Sequence, residues 1–414
     1  MPSGSVSTTS LANALKIRYP QDEIYLQFCR DLPLFGMLKK KNIFEGKRVD
    51  ITAQYGAQLG VATNFTDASS NETSNDYAQF AVTRARLYGT GSIDGEALVA
   101  GQSKAGAIVN MLEQEMTTLM EIVKRYLSAF LWGNGGGSFG IVGAIATNTI
   151  TLTQRTDVIW FEVGQVINLA STDGTSGALE AGSLTISAVN RKDGILTFTQ
   201  NVTTGIPTAT TTMYIFVRGC FGNGAGNAVM VGVPAWITTS SSPPTLFGVT
   251  RTTDVTRLSG IKYSESSGAP IEESLQKGLA YAYAEGAKPA TIFMNPQDYQ
   301  SLAVSLGSKA VYNKDQKAYK ANVGYTGVEI ISPFGTAVVY ADPGCPRGYA
   351  YALDMSTFYL GTAGPNFPYI LGTGPGEDGL TILRSPTADK YSWRLGAWGN
   401  LICDAPGRNM VVTL

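Results

Sequence analysis

The sequence predicts an α+β protein interrupted by a small all-β insertion, and three observations carry that reading. Residues 104 to 131 hold the strongest helical period in the chain. Residues 146 to 218 change to short Thr/Val/Ile-rich runs split by turns, and from residue 270 helices and strands mix to the end. With 414 residues the chain is long enough for two or three domains, or for one large domain with insertions.

In order, residues 1 to 48 carry eight Lys or Arg against four Asp or Glu, a net of +4 on a chain whose total is −1. Such a basic arm suits a polyanion, and equally a solvated tail. Residues 44 to 97 read as a long β-hairpin. Arg48-Val49-Asp50-Ile51 alternates, Phe80 to Tyr88 runs on as one strand, and Gly56 to Asp76 between them is crowded with Gly, Asn, Ser and Thr. The hairpin holds too few large apolar residues to bury itself, which predicts that it lies against another chain.

In the helical run, Ile108, Met111, Leu112, Glu115, Leu119, Ile122, Tyr126 and Phe130 share a face, and the helix is expected to be roughly 42 Å long. It stops at Gly133-Asn134-Gly135-Gly136-Gly137, which reads as a flexible joint, as do Gly60, Gly89 and Gly91. In the insertion, strands are expected at Thr149–Thr153, Val166–Ala170, Leu184–Val189, Ile195–Thr199 and Met213–Val217, with turns at Asp173-Gly174 and Asp193-Gly194. They form a barrel or sandwich, taken as an autonomous module. Beyond it come a helix over 270 to 286, a strand at Thr291–Met294, and a second helix opened by Asn295-Pro296. Strands follow at Val328–Ile331, Ala337–Tyr340, Tyr349–Leu353, near Thr381–Leu383, Tyr391–Ala397 and Met410–Leu414.

Chemistry is sparse. The chain has no His, which removes imidazole bases, Cys/His proteases and His-ligated metals. Cys29, Cys220, Cys345 and Cys403 are too far apart for a CxxC pair, and a reducing compartment is the simplest setting. The Gly clusters at 133 to 140, 219 to 226 and 372 to 379 lack the Lys-Ser or Lys-Thr of a phosphate loop. Ser259-x-x-Lys262 and Ser274-x-x-Lys277 match a Ser-Lys pattern that arises cheaply by chance, and Glu272-Glu273 and Glu377-Asp378 point apart. A basic loop over Gly307 to Asn322 holds Lys309, Lys314, Lys317 and Lys320 against Asp315, with Tyr312 and Tyr319 interleaved. Met1 to Ser10 lacks signal-peptide character, and Glu113, Glu115, Glu121, Lys124 and Arg125 break the best apolar run, so a soluble protein outside membranes is expected.

Basic arm, hairpin, long helix ending at Trp132-Gly133-Asn134-Gly135, and an α+β region with Met294-Asn295-Pro296-Gln297-Asp298-Tyr299 follow one another in an order that resembles the HK97-fold major capsid proteins of tailed double-stranded DNA bacteriophages. Val338 to Pro343 and Tyr351 to Asp354 look like that family's A-domain strands. The likeness spans most of the chain outside the insertion. It implies an N-terminal arm at 1–43, an E-loop hairpin at 44–97, a spine helix and P-domain at 98–145, the inserted barrel at 146–218, a P-domain return and connector at 219–269, an A-domain at 270–370, and closing P/A-domain strands at 371–414.

The resemblance further implies a self-assembling shell of hexamers and pentamers, an icosahedral head around double-stranded DNA in the virion, built in the host cytoplasm. Contacts of the E-loop with a neighbouring chain would fall on Arg48, Asp50, Tyr55, Asn64, Phe65, Tyr77, Phe80, Arg84 and Arg86. Lys16, Arg18, Lys39, Lys40 and Lys41 would face the lumen and its DNA, and Lys309, Lys314, Lys317 and Lys320 would sit in the capsomer-centre loop. No catalytic residue, cofactor or metal is implied. Since no Lys occurs between Lys47 and Lys104, the Lys-to-Asn cross-link that some members make through the E-loop is excluded. The arm begins almost at Met1, so a separate scaffolding protein is expected, together with a portal and decoration proteins. An encapsulin-like compartment around protein cargo and a secreted β-rich surface protein are the alternatives; an enzyme fits least.

Overall fold

The computed structural model describes residues 32–96, 111–223, 229–265, 268–307, 328–364, 367–370 and 383–414. Lys39–Asn42 (β1) opens the strand order, followed by Arg48–Gln54 (β2), Tyr77–Thr83 (β3) and Ala85–Asp94 (β4). β2 and β3 pair antiparallel from Arg48 opposite Thr83 to Gln54 opposite Tyr77. The run from Phe80 to Tyr88 is not one strand. It breaks at Arg84, and β4 pairs instead with a C-terminal strand, Ala85 opposite Gly399 through Asp94 opposite Lys390. Asn400 fixes the corner: its amide donates to the Thr83 carbonyl at 2.9 Å, and its carbonyl oxygen accepts from Val231 N at 3.0 Å. The hairpin therefore ends at Thr83, and its tip carries a short helix, Phe65–Ser70, capped by Asn64.

The helix Met111–Leu131 crosses β4, with Tyr126, Leu127, Phe130 and Leu131 on its core-facing side. Gly89 and Gly91 are close-approach positions rather than joints. A Cβ at Gly89 would lie 2.8 Å from a Val123 methyl, and one at Gly91 2.5 Å from the Trp393 ring.

Gly140–Ile145 (β5), Thr149–Leu152 (β6), Val166–Ala170 (β7), Leu184–Asn190 (β8), Ile195–Phe198 (β9) and Tyr214–Val217 (β10) close a barrel in the order β10-β5-β6-β9-β8-β7. It begins at Gly140, ahead of the expected 146, because β5 supplies the strand that joins β10 to β6. Alternate residues Ile150 and Leu152, Ile167 and Leu169, Leu184 and Ile186, Leu196 and Phe198 fill it, all buried. The barrel shares its core with the helix. Phe139 meets Tyr126 and Phe130 with ring centroids 5.2 and 5.5 Å apart, Arg125 pairs with Glu162 at 2.8 Å, and Gln165 donates to the Tyr126 hydroxyl at 2.8 Å.

The glycine run after the helix is locked as well. Gly137 has φ +85°, and a Cβ there would sit 1.8 Å from the Cys220 carbonyl oxygen, while Asn134 donates to Asp173 at 2.6 Å. The expectation of a flexible joint fails on this packing, and the barrel is seated on the helix rather than tethered beside it.

Ile261–Ser264 (β11), Thr291–Met294 (β12), Val328–Ser332 (β13), Gly335–Ala341 (β14) and Tyr349–Leu353 (β15) join Met410–Thr413 (β20) in a six-stranded mixed sheet, ordered β11-β20-β15-β12-β14-β13. The helices Ile271–Ala284 and Pro296–Gly307 bury Leu275, Leu279 and Leu302 in the same core as Ile292, Met294, Met410 and Val412. Phe358–Thr362 (β16), Tyr369–Ile370 (β17), Leu383–Arg384 (β18) and Lys390–Cys403 (β19) complete the other sheet, in which β1 runs parallel to β16 and β4 borders β19. On β19, Trp393, Leu395 and Ala397 point inward and Arg394 outward, the alternation the sequence predicts.

Two outcomes follow. Gly137→Ala is expected to destabilise the folded chain by more than about 1 kcal/mol, since both its φ and its contact are closed to a side chain; the urea midpoint of the unassembled protein measures this. Burial pushes the carboxyl of Asp157, on the 3₁₀ turn beside β5, up to about 7. The native state then holds a proton that the unfolded chain releases, so this group's contribution to stability falls as pH rises from about 4 to 7. Asp157→Asn should therefore gain on the parent over that interval and keep a constant advantage above it, read from paired melting curves.

Candidate assembly surfaces

The hairpin is anchored at one end and bare at the other. Phe80 and Val82 are fully buried at its base, where Phe80 meets Trp236 (centroids 5.1 Å) and Ala81 N donates to the Phe247 carbonyl at 3.0 Å. Buried Arg251 shapes that platform, its guanidinium donating to the carbonyls of Ala235 (2.7 Å), Trp236 (3.2 Å) and Pro244 (2.9 Å). Tyr55 is the last anchored position, its carbonyl accepting from Arg257. Beyond it the two arms bond mainly to each other: Gln58 N to the Asn75 side chain at 2.9 Å, and Leu59 N to the Thr73 hydroxyl at 3.1 Å.

Large apolar groups crowd this bare end. Leu59 is 63% exposed, Val61 82%, Phe65 87% and Tyr77 59%. From Val49 to Thr83 the charged residues are Asp50, Asp67, Glu72 and Asp76, with no cation among them. The bare end is thus an acidic strip with naked aromatic and aliphatic groups.

Of the expected hairpin contacts, Phe65 and Tyr77 lie along this surface, Tyr55 is half-buried at its anchored edge and packs against this chain's own core, and Asn64 is exposed there but commits its side chain to capping Asp67 N at 2.8 Å. Arg48 and Asp50 pair with each other at 3.0 Å near the base. Phe80 must be corrected: it belongs to this chain's own core, because β3 turns it onto Trp236. Arg84 sits half-buried at the strand break and Arg86 is exposed on β4, so both lie on the sheet, off the hairpin.

Of the basic candidates, Lys39, Lys40 and Lys41 form β1 and are exposed. Two of their ammonium groups are held by this chain: Lys40 donates to the Phe367 carbonyl at 3.1 Å, and Lys41 lies 3.7 Å from the Tyr359 ring centroid. Burial, then Lys124, lowers the Lys40 pKa. Lys16, Arg18, Lys309, Lys314, Lys317 and Lys320 lie outside the described residues.

The Ser-Lys patterns resolve differently from one another. Lys262 Nζ does reach Ser259 Oγ, at 3.3 Å, but Ser259 is fully buried and donates to the Val255 carbonyl at 2.6 Å, which closes it to any substrate. Ser274 bonds the Pro270 carbonyl, while Lys277 pairs with Glu265 and Glu273. Among the described residues no cluster of metal-ligating side chains occurs, and no helix is long and apolar enough to cross a membrane.

Sequence reasoning missed two features. Asp342, fully buried, accepts from Leu34 N (3.1 Å) and Gly344 N (2.9 Å); burial raises its pKa against those amides and the neighbouring Trp132 indole. A cleft of about 300 Å³ also opens between the barrel and the start of the helix Pro296–Gly307. Neither leaves a local pattern, because each joins segments more than a hundred residues apart.

Phe65 and Phe80 separate surface from core. Phe80→Ala should cost the isolated chain about 3–5 kcal/mol, whereas Phe65→Ala should leave its denaturant midpoint unchanged and lower the yield of assembled particles.

The profile of the SU10 major capsid protein family matches residues 20–371. A search of curated proteins finds no match. Among solved structures, the cyanophage A-1(L) capsid asymmetric unit is similar at TM-score 0.58 and 12% identity, covering 95% of each chain, and it shares this mixed α+β fold. The Mycobacterium phage Ogopogo structure aligns at TM-score 0.46 and 11% identity over 99% of each chain. The holo-SrpI encapsulin complex from Synechococcus elongatus PCC 7942 aligns at 0.45 and 9%, over 94% of this chain and 91% of that one.

Proposed function

The chain belongs to the SU10 major capsid protein family and is a shell-forming protein of the virion, and from that premise we propose that it builds an icosahedral head of hexamers and pentamers around double-stranded DNA. The observation that carries this reading is the hairpin, rooted in its own chain at Phe80 and bare over Leu59, Val61 and Phe65. Such a tip is completed by a neighbour offering a different patch from its own, and heterologous contacts of that kind close into rings.

In the vocabulary of the fold, 1–43 serves as the N-terminal arm, the β2–β3 hairpin as the E-loop, Met111–Leu131 as the spine, and the sheet led by β12, β14 and β15 as the A-domain. The arm and its lysines face the packaged genome, and the loop holding Lys309, Lys314, Lys317 and Lys320 faces the capsomer centre. The barrel lies on the outer surface, since residues 146 to 218 carry Arg155, Arg191, Lys192 and Arg218 against five carboxylates, with no excess of positive charge to line packed DNA. Assembly proceeds in the host cytoplasm with a separate scaffolding protein and a portal, and decoration proteins bind the finished head.

Co-expression with the scaffold and portal, followed by negative-stain microscopy and SDS electrophoresis, tests this reading. Closed shells are expected, and boiling them in SDS should release monomers of 43.9 kDa, because residues 49 to 83 contain no Lys to cross-link. A compact monomer under all conditions would overturn the shell, and a covalent ladder that survives reductant would overturn the uncross-linked hairpin.

A further inference from the structure

The cleft between barrel and α+β layer is built from both. The barrel contributes Arg155, Val158, Ile159 and Arg191, and the other wall is formed by the Asn295-Pro296-Gln297 segment and Pro343. Among the described residues its charged lining is the two arginines, with no carboxylate. Arg191 is held by the carbonyls of Val158 (3.2 Å) and Phe161 (3.1 Å) and by Glu162 at 2.7 Å, and Glu162 in turn binds buried Arg125. Arg155 is exposed and donates to the Lys192 carbonyl at 3.1 Å, which leaves most of its guanidinium donors facing the cleft and solvent. The walls are rigid: one is a closed barrel locked to the long helix, and the other is held by Asn295, buried, whose amide donates to the Cys345 carbonyl at 3.0 Å.

The hairpin tip is complementary in both respects. It presents Val61 and Phe65 unburied, it carries Asp67 and Glu72 beside them, and no cation occurs between Val49 and Thr83. We propose that the hairpin tip of a second copy of this chain docks in this cleft, setting Phe65 or Val61 against Val158, Ile159 and Pro296 and its carboxylates against Arg155. This rests on the shell reading and names the patch of the neighbour that completes the hairpin. The barrel thereby becomes the receptor for the strap between neighbouring copies rather than a decoration.

Disulfide trapping in the full chain tests it. Thr66→Cys on the tip and Thr156→Cys in the cleft, combined and oxidised in assembled particles, should give a ladder of covalent oligomers on non-reducing SDS gels. The ladder should be absent from either single variant and lost on reduction; Gln297→Cys replaces Thr156→Cys if that variant does not fold. Independently, Arg155→Glu and Glu72→Arg should each lower particle yield at least about tenfold through like-charge juxtaposition, and the double charge swap should restore it. Particles from every Cys variant without a ladder, or a cross-link formed inside the unassembled monomer, would overturn the docking while leaving the shell intact. Failure of the parent chain to form any particle would overturn the shell reading itself.

Discussion

The C-terminus of the long helix is the point on which the rest of the molecule depends. Gly133 N caps the Phe130 carbonyl at 3.0 Å, and a Cβ at Gly232 would lie 2.3 Å from the Leu131 carbonyl oxygen, so the returning chain passes directly over the helix end. Trp132, the next residue, is buried against Phe293 and Tyr351 of the mixed sheet, with ring centroids 5.9 and 5.5 Å away. Asp342 beside it ties in the short helix Pro33–Met37 through Leu34 N. One helix end thus fixes that short helix, the barrel and the α+β layer relative to one another.

That rigidity explains why the hairpin stands out. Elsewhere polar groups at the junctions are paired across segments: Arg125 with Glu162, Asn134 with Asp173, Asn400 with Val231 and Thr83. Breaking Arg125 from Glu162 would strand a buried charge, which is costly even where the intact pair adds little net stability. The hairpin follows the same rule only as far as Tyr55. Past that point Leu59, Val61 and Phe65 stay open to solvent in the single chain. Covering such apolar surface is worth roughly 25 cal/mol per Å², and that is the stabilisation the proposed contact with a neighbour would supply.

Elements with a strong period were legible in the sequence. The helix ending at Leu131, five of the six barrel strands, the Pro-initiated helix at 296 and the alternating Trp393, Leu395 and Ala397 all follow from spacing. Glycine was the main source of error. Gly89, Gly91 and Gly133–Gly137 look like hinges in one dimension and are close contacts in three, since only an absent Cβ lets Val123, Trp393 and the Cys220 carbonyl approach. The strand break at Arg84 was invisible because the Asn400 side chain that enforces it lies more than three hundred residues away. Of the surface candidates, Phe65 and Tyr77 were readable as exposed aromatics on a polar hairpin. Phe80 was not separable from them, because alternation along β3 does not reveal which face its own chain covers.

Amide hydrogen exchange on the unassembled protein and on finished shells compares these claims in one measurement. The account predicts that residues 57 to 75 exchange fast in the free chain and become protected in the shell, while amides around Trp132 and Gly133 are protected in both. Protection of the tip in the free chain, or its continued fast exchange in the shell, would contradict it.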